Sequence, residues 1–329
     1  MKKHITEQTV IFFSVSKWLI LSSATGIMIG FLMSIFIKTL HAAQDARGLL
    51  PFAFYFTLPF ALMLTVWIVR TFERNATGHG TEKVIEAIHK QDGYINVKVV
   101  PIKLIATVLT IFSGGSVGKE GPGAQIGAGA ASFVATLLKF SKQDRKKLVI
   151  CGISAGFASV FGTPIAGAIF GIEVLIIGVI MYDVLLPSFI AGFAAFTTAQ
   201  FFGIEYAYYD INFYRSFHLD LTLISQVIVA GIFFGMVSDA FITTVNQIET
   251  WIRSIPYNRY LKAFVAGLIM IAVSLLVSEK YLGLGLTTIT NCLDPKALLS
   301  ENVHWYDFIL KTLFTSITLG AGGSGGVIT

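Results

Sequence analysis

Charged side chains are scarce in this chain: Lys, Arg, Asp and Glu make up 13% of its 329 residues, about half the share of an ordinary soluble domain. That shortage excludes a water-soluble globule. Apolar residues make up 54% and the mean hydropathy is +0.74, so the composition implies a chain that crosses a bilayer many times. Only two cysteines are present, Cys151 and Cys292. They lie far apart and lack metal-type spacing, which excludes a disulfide framework and a zinc site; Cys151 is expected to be a small core residue. No His, Cys, Asp and Glu constellation suggests another metal or a cofactor. No Pro/Ser-rich linker or low-complexity tract divides the chain, so a single membrane domain over residues 1–329 is the economical reading. The net charge of +5 is spread over short connections without interleaved aromatics, which excludes a nucleic-acid surface. Its densest cluster, Lys142, Arg145, Lys146 and Lys147, is expected in a loop. The positive-inside rule would make that loop cytoplasmic, but re-entrant helices weaken the rule, so no orientation follows.

What the chain has in abundance is apolar runs. A span needs about 20 mainly apolar residues, fewer where helices are broken or re-entrant. Val10 to Leu40 and Leu50 to Val69 satisfy this most cleanly. Further runs cover Ile102 to Phe112, Ala124 to Phe140, Leu148 to Val174, Ile176 to Phe202, Leu221 to Ile242, Phe264 to Val277 and Phe308 to Leu319. Together they predict an all-α polytopic protein of about ten helices, several of them short. Met1-Lys2-Lys3-His4 precedes an apolar run far longer than that of a signal peptide, and reads as the start of an uncleaved first span.

The chemistry concentrates at Gly114-Gly115-Ser116-Val117-Gly118-Lys119-Glu120-Gly121-Pro122, which puts a carboxylate at a glycine-rich break between two apolar segments. An ionisable side chain at membrane depth is costly and faces a protein interior or a water-filled path, so Glu120 is an ion- or proton-site candidate. Pro122 marks the first turn of a new helix, whose free N–H groups and dipole make an anion site. There Glu120 can compete with a permeant anion until protonation releases it. Ile309 to Thr329 repeats the pattern: an apolar helix containing Leu310-Lys311-Thr312-Leu313-Phe314, then Gly320-Ala321-Gly322-Gly323-Ser324-Gly325-Gly326. Paired broken segments in two halves point to a transporter site at the repeat interface. The halves are expected at 1–202 and 203–329, the second incomplete, as in a partial chain.

Other chemistries fit less well. Gly118-Lys119 after a glycine run resembles a phosphate-binding loop, but position 113 is Ser where the motif needs Gly, and Glu120 stands where a magnesium-binding Ser or Thr belongs. An intramembrane enzyme would need a nucleophile motif, which is absent, and Asp183, Asp210 and Asp239 lack a paired context. A non-transporting membrane scaffold would have no use for a carboxylate at a broken helix. Glu120 would then be a simple helix cap.

Gly118-Lys119-Glu120-Gly121-Pro122 with Gln125 resembles the G-[K/R]-E-G-P motif of the CLC family of chloride channels and chloride/proton antiporters. Ala155-Gly156-Phe157-Ala158-Ser159-Val160-Phe161-Gly162-Thr163-Pro164 and the residues to Glu173 resemble the family's next helix pair. Gly325-Gly326-Val327-Ile328-Thr329 is similar to the start of its G-x-F-x-P motif, with Ile328 at the Phe position. The resemblance implies a CLC-like inverted-repeat bundle with broken helices, in a multi-pass protein of a prokaryotic inner membrane, and no CBS domains in this chain. It implies a homodimer with one pore per subunit, a small anion such as chloride as the transported ligand, and no cofactor. Glu120 would be the gating, proton-coupling residue. Gly118, Lys119, Gly121, His79, Gly326, Val327, Ile328 and Thr329 would surround the anion. Two departures stand out. Gly78-His79-Gly80-Thr81-Glu82 occupies the place of the family's G-S-G-I-P, so an imidazole replaces the serine that holds the inner anion. Fluoride-exporting members also depart from serine here. Glu173 is followed by Val174 where many antiporters carry a second acid that receives protons, and the family's inner-gate tyrosine would fall beyond Thr329.

Overall fold

The structure, a computed structural model, describes residues 2–174, 181–206, 220–293 and 303–327. Among the described residues there are twelve α-helices and no strand. In chain order they are α1 (Lys2–Asp45), α2 (Leu58–Phe72), α3 (Thr81–Lys90), α4 (Val99–Phe112), α5 (Glu120–Leu137) and α6 (Lys142–Phe161). Then come α7 (Pro164–Glu173), α8 (Tyr182–Phe201), α9 (Leu221–Ser254), α10 (Arg259–Leu276), α11 (Leu286–Leu293) and α12 (Asp307–Gly320). Five stretches are long and apolar enough to cross a membrane: Phe12–Leu49, Phe54–Phe72, Tyr182–Phe201, Leu221–Ser254 and Arg259–Leu276. The apolar helices α4 and α7 are too short to span alone, as expected of broken elements.

Local sequence explains several boundaries. The apolar run Leu148 to Val174 is not one helix but two, because Gly162 takes the left-handed conformation at φ +73° and caps α6, after which Pro164 opens α7. The basic cluster also departs from expectation. Lys142, Arg145, Lys146 and Lys147 stand on the first turns of α6 and not in a loop, since Ser141 Oγ accepts the Asp144 N–H at 3.1 Å and starts the helix there. Cations at a helix N-terminus oppose its dipole, and acidic neighbours offset them. Asp92 receives Lys142 at 2.8 Å and Lys146 at 3.1 Å, and Asp183 receives Lys147 at 2.6 Å. The two hydrogen-bonded ammonium groups hold the Asp92 carboxyl below its usual range. Its modest contribution is therefore present above the unfolded value and fades as pH falls through the lowered folded one.

The core of the first half is built on small residues that let helix backbones touch. A Cβ at Gly127 of α5 would run into the Gly152 carbonyl oxygen of α6, and one at Gly156 would meet Gly123 in the same way. Gly26 and Gly30 of α1 lie as closely against Ala191 and Ala195 of α8. In lipid, where burial of apolar surface gives little drive, such close contact is what holds helices together. Cys151 is fully buried within this core.

Replacing Gly152 with Val should force α5 and α6 apart, at a cost of about 1–3 kcal/mol, seen as a lower melting temperature of the purified protein in detergent. An unchanged melting curve would contradict the backbone contact.

Candidate functional site

The two glycine-rich breaks meet, and each supplies the other with hydrogen-bond partners. After α4, Gly114 turns at φ +99° and Gly115 N–H returns to Thr110 O at 2.8 Å; after α12, Gly322 turns at φ +96° and Gly323 N–H returns to Thr318 O at 2.9 Å. α4 and α12 are each 14 residues long. Ser116 N–H donates to Thr318 Oγ1 at 3.1 Å, and Ser324 N–H donates to Thr110 Oγ1 at 3.2 Å. The hydroxyls of Ser116 and Thr315 lie 3.0 Å apart, and those of Thr107 and Ser324 3.3 Å. A two-residue antiparallel bridge closes the contact: Gly118 N–H to Gly326 O at 2.9 Å, and Gly326 N–H to Gly118 O at 2.7 Å. Every interaction has its mirror at a constant sequence separation, a local two-fold. Non-helical backbone at membrane depth is tolerated only where protein satisfies its polar groups, and here the second break does so for the first.

The same symmetry recurs one element earlier. Lys103 on α4 is fully buried and donates to Ala76 O at 3.2 Å and Gly78 O at 2.6 Å. Lys311 on α12 donates to Tyr281 O at 3.3 Å and Gly283 O at 2.7 Å. Each ammonium therefore ties down a three-residue 3₁₀ turn and a glycine loop that launches a short helix, α3 or α11. Neither forms a salt bridge with an acid among the described residues; backbone carbonyls carry the load, as for buried cations in membranes. Sequence reasoning missed Lys103, although a lysine stands at the same spacing ahead of both glycine-rich breaks.

Glu120 is the first residue of α5 and only 6% exposed. One of its carboxylate oxygens, Oε2, is buried with no hydrogen-bond partner among the described residues. Across from it lies the loop Gly78-His79-Gly80. A Cβ at Gly121 would strike the His79 carbonyl oxygen and sit 3.2 Å from Gly326 Cα, so glycine is required where these three backbones converge. His79 Nδ1 and Gln125 Oε1 are likewise buried and unpartnered, while Gln125 Nε2 donates to Asn75 O at 2.8 Å. Three unpartnered polar atoms thus cluster around the start of α5, where the free N–H groups and dipole of the helix favour negative charge.

A cavity of about 600 Å³ opens onto this loop, and Gly78, His79, Gly320, Ala321 and Gly322 are among the residues that line it. Arg70, Lys83, Arg253, Arg259 and Lys262 line it with Glu82 and Glu249, five cations against two acids. That excess raises the local concentration of anions.

Of the residues expected at the site, the structure brings together Glu120, Gly118, Gly121, His79 and Gly326, with Lys119 half-buried as the N-cap of α5. Val327 is half-buried and packs on the core next to them. Ile328 and Thr329 lie outside the described residues, as does Asp210. Asp183 is paired with Lys147 at the surface, Asp239 and Glu173 are exposed, and none of the three reaches the site.

A polytopic helical bundle with a buried carboxylate at a broken helix, packed against a loop that lines a cation-rich cavity, defines a membrane protein built to handle small anions. A family model described as voltage gated chloride channel matches residues 60–329. The chain belongs to that family, the CLC proteins, and is an integral membrane protein. It is similar to the chloride/fluoride channel protein of Pseudomonas syringae pv. tomato, 32% identical over 96% of this chain and 69% of the relative. It also resembles the voltage-gated ClC-type chloride channel ClcB of Citrobacter koseri, 29% identical over 76% of this chain and 58% of the relative. Its length is thus well short of those relatives. Among solved structures, a CLC-type fluoride/proton antiporter superposes with a TM-score of 0.86 at 27% identity, covering 96% of this chain and 78% of the other. A slow cyanobacterial Cl⁻/H⁺ antiporter, at 21% identity and a TM-score of 0.77 over 94% and 75% of the two chains, shares the fold.

Because Thr110 and Thr318 each accept a buried N–H from the opposite break, Thr110→Val and Thr318→Val should each cost about 1–3 kcal/mol. The two losses should be similar and the double mutant less than additive. Thermal unfolding in detergent checks this, and a loss confined to one threonine would contradict the reciprocity.

Proposed function

We propose that the chain carries a small anion, chloride or fluoride, through a site at the start of α5, with Glu120 as a protonatable gate. The observation that supports it most directly is the Glu120 carboxylate: 6% exposed, one oxygen unpartnered, at a helix N-terminus against which the vestibule-lining loop Gly78-His79-Gly80 packs. Charged, it occupies the position an anion would take. Neutralised by a proton, it no longer competes for the helix dipole and can leave. Backbone N–H groups near Gly121 and Val327 and the His79 ring would then hold the anion with the donors that Glu120 releases. Lys119 adds charge at the rim. Ile328 and Thr329, outside the described residues, are assigned to the anion site by the family resemblance alone. No metal or cofactor takes part in this scheme.

Fluoride deserves equal weight with chloride, since both the Pseudomonas relative and the fluoride/proton antiporter carry that ion in their names, and His79 stands where the serine of the chloride motif belongs. The local two-fold relating the glycine breaks supports a division into inverted halves at 1–202 and 203–329. A homodimer follows from family resemblance, and a bacterial inner membrane fits the bacterial relatives.

In proteoliposomes the protein should move chloride or fluoride down its gradient, followed with an ion-selective electrode, and Glu120→Gln should abolish the accompanying proton movement. Absence of flux for both ions would overturn the proposal.

A further inference from the structure

Val174 directly follows Glu173, where the family resemblance would place a proton-receiving acid, so protons bound for Glu120 need another carrier, and the vestibule offers a histidine. His79 lines the cavity yet keeps Nδ1 buried and unpartnered. Its carbonyl presses on Gly121, the residue after the gate. The loop that carries the imidazole therefore both lines the vestibule and lies against the start of α5. The symmetry-related loop Gly283-Leu284-Gly285 has a buried leucine at the matching position, so neither loop geometry nor packing calls for a titratable side chain there. Resting on the anion-transport reading above, we propose that His79 relays protons between the vestibule and Glu120, so that anion and proton share one route.

The step balances without any further reagent. A water or carboxyl group in the vestibule gives a proton to one ring nitrogen, forming imidazolium. The opposite nitrogen then releases its own proton to the Glu120 carboxylate, leaving a neutral imidazole in the other tautomer and a neutral carboxylic acid. Histidine suits this task because each ring nitrogen can either accept or donate and its charge changes near neutral pH. The charged neighbours are distributed to match. Burial opposes the imidazolium most strongly; Glu82 on α3 and Glu249 on α9, which line the cavity, favour it, while Lys103 on α4 and Arg253 on α9 add to the opposition, so that the proton rests on His79 only in passing. Arg70 on α2, Lys83 on α3, and Arg259 and Lys262 on α10 complete the charged lining. Lys103 is fixed to the Gly78 carbonyl, so it holds the loop while its charge keeps the proton from resting on His79.

The test uses the full chain in proteoliposomes, with an outward chloride or fluoride gradient read by an ion-selective electrode and an internal pH dye. His79→Asn, which keeps an N–H donor but cannot titrate, should lower the proton-to-anion ratio by at least about tenfold, whatever its effect on the anion flux itself. His79→Glu should restore proton movement with a pH profile displaced to lower values. His79→Asn with an unchanged proton-to-anion ratio would overturn the relay. So would wild-type protein that moves anions without protons, a result that leaves the anion site intact. Wild-type protein that moves neither ion would instead overturn the anion-transport reading itself. A merely structural role for His79 predicts that both fluxes fall together and that His79→Glu does not restore coupling, which also defeats the proposal.

Discussion

A backbone that leaves the helix inside a membrane exposes N–H and C=O groups that lipid cannot satisfy. In this protein each of two glycine-rich breaks meets that demand for the other. Thr110 and Thr318 exchange their hydroxyls for the opposite Ser N–H, and Gly118 and Gly326 exchange both backbone bonds. Everything at the site depends on this pairing. It fixes the point at which α5 can begin, and so where Glu120 stands.

Two buried lysines extend the same logic outward. Lys103 and Lys311 each hold carbonyls of a glycine loop, so the loops ahead of α3 and α11 are anchored to the helices that lead into the breaks. The symmetry is then broken at the places where chemistry is needed. One loop carries His79 and the other Leu284, and the vestibule gathers its cations from α2, α3, α9 and α10 around the histidine side. Near-identical scaffolding thus carries unequal side chains: a single buried carboxylate opens α5, and a single imidazole sits in the loop packed against it. The fluoride/proton antiporter superposes over 96% of this chain, so the frame is common to proteins that need not share an ion.

Several features were legible in the residues alone, for stated physical reasons. Apolar runs of span length gave the longer helices, and the carboxylate in a glycine-rich gap drew attention to Glu120, whereas the split of the Leu148 to Val174 run at Gly162 and Pro164 emerged only in the fold. The basic cluster was misplaced because Ser141 is a cap only if the following residues go helical, which tertiary contacts with Asp92 and Asp183 favour. Lys103 escaped notice because a lone lysine in an apolar helix looks like a snorkelling side chain until its carbonyl partners are seen.

The sequence by itself determined the class of protein, the rough extent of its apolar helices, though about ten helices were expected where twelve are described, and which residue carries the unusual charge, since these depend on local composition and spacing. Only the tertiary structure decided that the two glycine breaks pair, that Glu120 keeps a buried, unpartnered oxygen, and that the loop packed on the start of α5 lines a cationic vestibule. Those facts depend on residues more than a hundred positions apart coming within hydrogen-bond distance, and no local pattern encodes which distant hydroxyl will face which N–H.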